Sequence, residues 1–165
     1  MLTLRERVAA RAEVDVVLTL PFELRQKSRL ATALADGEPV ALMLERGAVL
    51  RGGDCLRADD GRHARIVAAD EDVMDARSAD ANTLARVAYH LGNRHAPVEI
   101  GDGFVRFAAD TVLATMVEGL GAGITQRRAP FEPEVGAYGG RHTHHSGEAR
   151  HAGVIHDMLE RQRRA

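Results

Sequence analysis

The sequence predicts an α+β protein made of two small modules and a tail, and three observations carry that expectation. Residues 1–70 are short apolar runs cut by glycine and Asp-Gly turns, the pattern of an all-β module. Near residue 73 the apolar spacing lengthens from two toward three and four, so helices begin to alternate with strands. Past residue 138 the chain becomes polar and glycine-bearing, and five of its eight histidines fall between His142 and His156. The implied boundaries are residues 1–72, 73–138 and 139–165, the last expected to be flexible.

In the first module, residues 14–20 form one apolar run, and residues 28–34 and 40–44 flank Asp36-Gly37, a tight hairpin signal. Gly47, Gly52-Gly53-Asp54 and Asp59-Asp60-Gly61 then separate short strands at residues 49–50, 55–57 and 63–69. The acidic Asp70-Glu71-Asp72 marks the exit.

In the second module, residues 73–76 read as a strand. Ser78 or Asp80 caps a helix that places Leu84, Val87, Ala88 and Leu91 on one face, and Gly92 or Asn93 ends it. Residues 97–100 and 104–107 are strands joined by Gly101-Asp102-Gly103. Asp110 caps a second helix with a Val112, Leu113, Met116, Val117, Leu120 stripe, closed by Gly121. Residues 124–128 supply the last strand. Strand, helix, strand, strand, helix, strand is the split βαβ, or ferredoxin-like, order. Phe131-Glu132-Pro133-Glu134 resists regular structure, residues 136–147 are expected to be mobile, and residues 154–164 form a short terminal helix.

Composition removes several classes of function. The 22 basic and 24 acidic residues leave a net charge of -2, so no global field draws the chain onto nucleic acid or an anionic membrane. Residues 1–21 interrupt their apolar positions with Arg5, Arg7, Arg11, Glu13 and Asp15, so no signal-peptide core is expected. No run approaches the ~18 apolar residues of a spanning helix. One cysteine, Cys55, allows neither an intrachain disulfide nor a cysteine-based zinc site. A cytoplasmic location follows, with Cys55 read as an inert, partly buried thiol.

Histidine carries the chemistry. His95 follows a helix end and precedes Ala96-Pro97, so it sits at an edge, where capping a terminal carbonyl and ligating a metal both remain open readings. His90, one turn before the helix end, is open between packing and auxiliary ligation. His63 reads as a surface strand residue. In the tail, His142, His144 and His145 are close enough for neutral imidazoles to chelate a divalent ion without any fold. Arg127-Arg128 reads as a solvated face able to meet an acidic partner.

Two strings extend this reading. Tyr89-His90-Leu91-Gly92-Asn93-Arg94-His95 and Pro130-Phe131-Glu132-Pro133-Glu134-Val135-Gly136-Ala137-Tyr138 resemble the UreE family of urease accessory proteins. Residues 29–34, Arg46-Gly47, Gly53-Asp54 and Ala69-Asp70-Glu71 extend the resemblance over nearly the whole chain. It implies a first module similar to peptide-binding modules of chaperones, and a second that is ferredoxin-like, metal-binding and dimerising. It also implies a nickel metallochaperone and no enzyme, with Ni(II) held at His95 and Zn(II) or Cu(II) competing there. His90 matches a second ligand of some members, while Ala108-Ala109-Asp110-Thr111 lacks the extra histidines others carry at the second helix. The implied partners are a second copy of the chain, the urease GTPase UreG and the urease apoprotein.

With His95 as the ligand that the resemblance implies, donor number calls for a dimer. A divalent ion takes about four to six donors and one imidazole supplies one, so two His95 residues facing across a two-fold axis, completed by tail histidines, make an open and labile site. Two rival readings remain. One is a general zinc or nickel buffer with no urease client. The other is a small metal enzyme of the cupin kind, suggested by Gly136, His142, His144 and Glu148, although this segment lacks the apolar strands of such a barrel.

Overall fold

A computed structural model describes residues 1–135 of the chain. The histidines at 142, 144 and 145, the expected mobile stretch over residues 136–147 and the expected helix over residues 154–164 lie outside the described residues.

The first module runs β1 (Leu2–Val8), β2 (Val16–Leu20), the short α1 (Phe22–Arg25), β3 (Arg29–Ala33), β4 (Pro39–Met43), β5 (Cys55–Ala58) and β6 (His63–Ala68). These strands form one sheet in the order β2-β6-β5-β1-β4-β3. The expected hairpin is β3 and β4, antiparallel, with Gly37 at φ 88, a conformation that glycine adopts without steric penalty.

Besides the short α1, two strand assignments depart from the sequence expectation. β1 was not expected as a strand, yet it holds a central place, parallel to β4 and antiparallel to β5. Leu2 and Leu4 point into the core, but the register shifts between Leu4 and Glu6, so the two-residue alternation breaks at the charged Arg5-Glu6-Arg7. Residues 49–50, expected as a strand, are a loop. Leu50 is still fully buried, and its N–H donates to Arg25 O at 2.9 Å.

Aliphatic side chains fill this module. Leu18 of β2 and Leu42 of β4, from strands far apart in the sheet order, meet Leu4, Leu56 and Ile66 in one cluster, so the sheet curls around them. Each such side chain contributes about 1.5–3 kcal/mol through burial.

The second module runs β7 (Asp70–Arg77), α2 (Ala81–Gly92), β8 (Val98–Gly101), β9 (Phe104–Ala108), α3 (Thr111–Gly119) and β10 (Gly123–Pro130). Its sheet has the order β10-β7-β9-β8 with every neighbouring pair antiparallel. The acidic Asp70-Glu71-Asp72 is the start of β7, paired against Arg128, Ala129 and Pro130. Asp80 caps α2 by accepting from the Asn82 and Thr83 N–H groups, while Ser78 accepts from Asp80 N instead. Asp110 caps α3 in the same way through Val112 and Leu113.

Strand alternation gives this sheet two faces. On one, Met74, Ala76, Val105 and Phe107 meet Val87 and Leu91 of α2 and Val117 of α3. Phe107 is fully buried there, and truncating a phenylalanine in such a place to alanine costs about 3–5 kcal/mol. On the other face Asp75, only 1% exposed, receives Arg106 Nε at 2.6 Å and lies within 3.3 and 3.6 Å of Arg77 and Arg127. Burial alone would raise the Asp75 carboxyl. The Arg106 hydrogen bond and charge, helped by Arg77 and Arg127, outweigh it and hold the group below the ordinary aspartate range.

That second face meets the first module. Phe22, Val73, Ala129 and Phe131 form a small shared core, with the two phenylalanine rings edge to face at 5.7 Å. Beside it lies Arg25, fully buried and paired across the junction with Glu132 at 2.9 Å.

Candidate metal centre

His95 owes its position to the way α2 ends. His95 N donates to Gly92 O at 2.9 Å and Ala96 N donates to Leu91 O at 3.2 Å, the pair of bonds that closes a helix in a Schellman motif. The residue at the turn must be left-handed, and His95 is, at φ 56. Among the described residues it is the one non-glycine with positive φ, a conformation that costs on the order of 1 kcal/mol or more. Ala96 then packs against the core near Leu91, and the His95 side chain is left exposed. Arg94 does the carbonyl-capping considered for His95, donating from Nη1 to His90 O at 3.1 Å.

His95, Ala96 and Pro97 form one wall of a cleft of about 790 Å³ between the modules. The opposite wall is first-module, with Phe22, Ala48 and Val49 beside Arg7, Arg51 and Asp54. Arg7 is tied to Asp54 at 3.0 Å and to Val49 O at 2.8 Å, and Arg51 to Glu132 at 3.0 Å. The chain's exit, Glu134 and Val135, lines the same cleft.

His90 lies in the last turn of α2, half-buried, its ring edge-on to Tyr89 at 5.3 Å; Tyr89 itself is 65% exposed. Among the described residues no three histidine, cysteine, aspartate or glutamate side chains converge closely enough to hold a metal ion. An exposed imidazole suits a borderline divalent cation, so a site built on His95 needs donors from outside this set.

The remaining candidates fall outside the cleft. His63 sits partly buried at the start of β6, with its N–H donating to the Asp15 carboxylate at 2.7 Å. Cys55 is buried. Arg127 is exposed, as expected of a solvated face, while its Nη1 comes within 3.6 Å of the buried Asp75. Sequence reading missed the first-module wall of the cleft and the Arg25–Glu132 pair. Only the irregular Pro130 to Glu134 string signalled that something was held there.

Together the curled sheet, the second antiparallel sheet and the cleft define a class: a two-module α+β protein presenting one exposed imidazole at its module junction. Residues 3–69 match the family domain described as UreE urease accessory protein, N-terminal domain, and residues 71–158 match its C-terminal domain. The chain is 54% identical over 140 residues to urease accessory protein UreE of Alkalilimnicola ehrlichii, covering 85% of this chain and 86% of that one. It is 52% identical over 151 residues to urease accessory protein UreE of Burkholderia orbicola, covering 87% and 74%. Identity is 50% over 149 residues to that of Nitrosospira multiformis, covering 90% and 85%. The chain belongs to the UreE urease accessory protein family.

Proposed function

We propose that this chain is a cytoplasmic nickel metallochaperone for urease assembly, acting as a homodimer in which His95 of each protomer binds one shared Ni(II) ion. The observation that carries the reading is His95 itself: an exposed imidazole at a backbone position where glycine would be unstrained. A donor kept where the backbone disfavours it fits a ligand better than a cap.

Two protomers related by a two-fold axis supply two such imidazoles, and His142, His144 and His145 complete the shell. The route is short. His142 lies seven residues beyond Val135, a reach of up to about 24 Å for extended chain, and Val135 already lines the His95 cleft. His90 serves as a second ligand, and the exposed Tyr89 beside it suits a contact between protomers. Zn(II) and Cu(II) compete for the same nitrogens.

In this reading the first module is peptide-binding-like, the second, from β7 onward, is a ferredoxin-like metal-binding and dimerising module, and residues 139–165 are a metal-recruiting tail. The GTPase UreG and the urease apoprotein receive the ion by ligand exchange, and no bond of a substrate is made or broken. Acid weakens binding, because a protonated imidazole has no lone pair to give.

The test is nickel titration of wild type and His95→Ala by calorimetry, with sedimentation to follow the dimer. The tight event should vanish in the variant while weaker tail binding and the dimer persist. Unchanged tight binding would overturn the assignment. A urease matured equally well without this chain would instead favour a general metal buffer.

A further inference from the structure

We propose that the outer edge of β10 takes an extended acidic segment of a partner protein as a fifth strand of the second-module sheet, with Arg77 and Arg127 as its charge partners. This docking is independent of the metal reading, because none of these residues is a ligand in that reading and none lines the His95 cleft.

β10 is a long strand with one neighbour. Its eight residues pair with β7 on one side, and among the described residues nothing pairs with the other. An unpaired edge presents a row of N–H and C=O groups that another extended chain can satisfy. Pro130 has no N–H and closes that row, so Gly123 to Ala129 is the length on offer. The opposite edge, β8, is partly occupied, since Glu134 N donates to Val98 O at 2.7 Å.

The side chains beside the β10 edge select the charge. Strand alternation puts Gly123, Thr125 and Arg127 on the face that carries Asp75, Arg77, Phe104 and Arg106, away from the helices. Asp75 is satisfied by Arg106 alone, whose Nε and Nη2 meet its two oxygens at 2.6 and 3.3 Å. Yet two more guanidinium groups converge on Oδ2, through Arg77 Nη2 at 3.3 Å and Arg127 Nη1 at 3.6 Å. Three arginines therefore surround one buried carboxylate, and Glu99 on the same face is also turned to Arg106, at 3.2 Å. Arg77 and Arg127 are exposed, and each directs one nitrogen inward, leaving the rest of a five-donor fork free for carboxylates arriving from outside.

Two glycines shape the approach. The Phe104 ring lies over Gly101, where a β-carbon would stand 2.1 Å from it, and its centre is 5.1 Å from the Arg77 guanidinium. Gly123 pairs with Arg77, and a β-carbon there would meet nothing nearer than Arg77 O at 3.9 Å. Packing does not require a glycine at that position, and the missing side chain leaves Arg77 reachable from the edge.

A second copy of this chain does not suit the same edge. β10 carries Arg127 and Arg128 and no acid, so pairing it with itself brings four guanidinium groups to one seam. A phosphate polymer would use the arginines but not the amide row. An extended segment with carboxylates at alternate positions uses both, meeting Arg127 and Arg77 on one face while main-chain bonds hold it to β10.

The probe is a fluorescent eight-residue peptide alternating glutamate and threonine, with blocked ends, titrated by anisotropy with the full-length, metal-free protein. R77Q/R127Q should weaken its binding about tenfold, since each half-exposed ion pair contributes roughly threefold. R5Q/R57Q, which removes the same charge from the first module, should leave binding unchanged. The peptide N-methylated at alternate amides, or with lysine in place of glutamate, should lose most of its affinity. Gly123→Leu alters no charge and should also weaken binding, which keeps the test decisive if the double arginine variant does not fold. Undetectable binding by wild type, equal losses in the two arginine pairs, or indifference to N-methylation would each overturn the proposal. So would tighter binding of polyphosphate or a DNA duplex through Arg77 and Arg127, or a dimer formed through β10 that excludes the peptide.

Discussion

The two helices of the second module end in the same way on different residues. Gly121 N donates to Glu118 O and Ala122 N to Val117 O after α3, the same spacing as His95 N to Gly92 O and Ala96 N to Leu91 O after α2. Each turn delivers an alanine to the core beside a fully buried residue, Val117 or Leu91. The left-handed position is Gly121 at φ 93 in one and His95 at φ 56 in the other. The fold asks for glycine twice and obtains it once. The exception is an imidazole at the cleft, so the strain is local to the place where the family reading puts the metal.

Substitutions at the two turns and at the helix caps separate these contributions. The largest effect is expected from Gly121→His, which imposes on α3 what α2 already bears and should lower stability by about 1–2 kcal/mol. A urea midpoint that does not move, at constant slope, would break the analogy between the two ends. At the opposite helix ends, Asp110→Ala should cost about 1 kcal/mol by orphaning the Val112 and Leu113 N–H groups.

Asp80→Ala should act in the same direction with a pH signature. Hydrogen bonds from the Thr83 side chain, then from Asn82 and Thr83 N–H groups, hold the Asp80 carboxyl below its usual 3.8. A lowered folded pKa contributes stability above 3.8 that is lost as pH falls through the folded value. The gap between wild type and Asp80→Ala should therefore close in acid, as followed by urea unfolding across that range. The smallest shift concerns His95→Gly, expected to raise stability by about 0.5–1 kcal/mol while abolishing tight nickel binding. His95→Ala, strained like histidine, should show the binding loss without the gain.

Much of the second module was legible in the sequence because each signal was local. Asp80 and Asp110 each precede an apolar stripe, and Gly121 marks an end, so caps and helices could be placed from neighbours alone. β1 was not legible because its bulge interrupts the alternation, and α1 is only four residues long. The Arg25–Glu132 pair and the Asp75–Arg106 pair join residues distant in the chain whose charges read as solvent-facing. His95 was legible as an exposed edge residue, but its left-handed backbone was not, since the usual cue for that conformation is a glycine.

The central placing of β1 has a consequence for how the molecule is made. Leu2–Val8 is synthesised before its two neighbours, Pro39–Met43 and Cys55–Ala58, which come dozens of residues later. Until both exist, two leucines and a row of unsatisfied amides wait without partners, exposed to whatever nascent or foreign strand passes. This strand is thus made well before it can pair, which makes the interval before Cys55–Ala58 is synthesised a window open to aggregation.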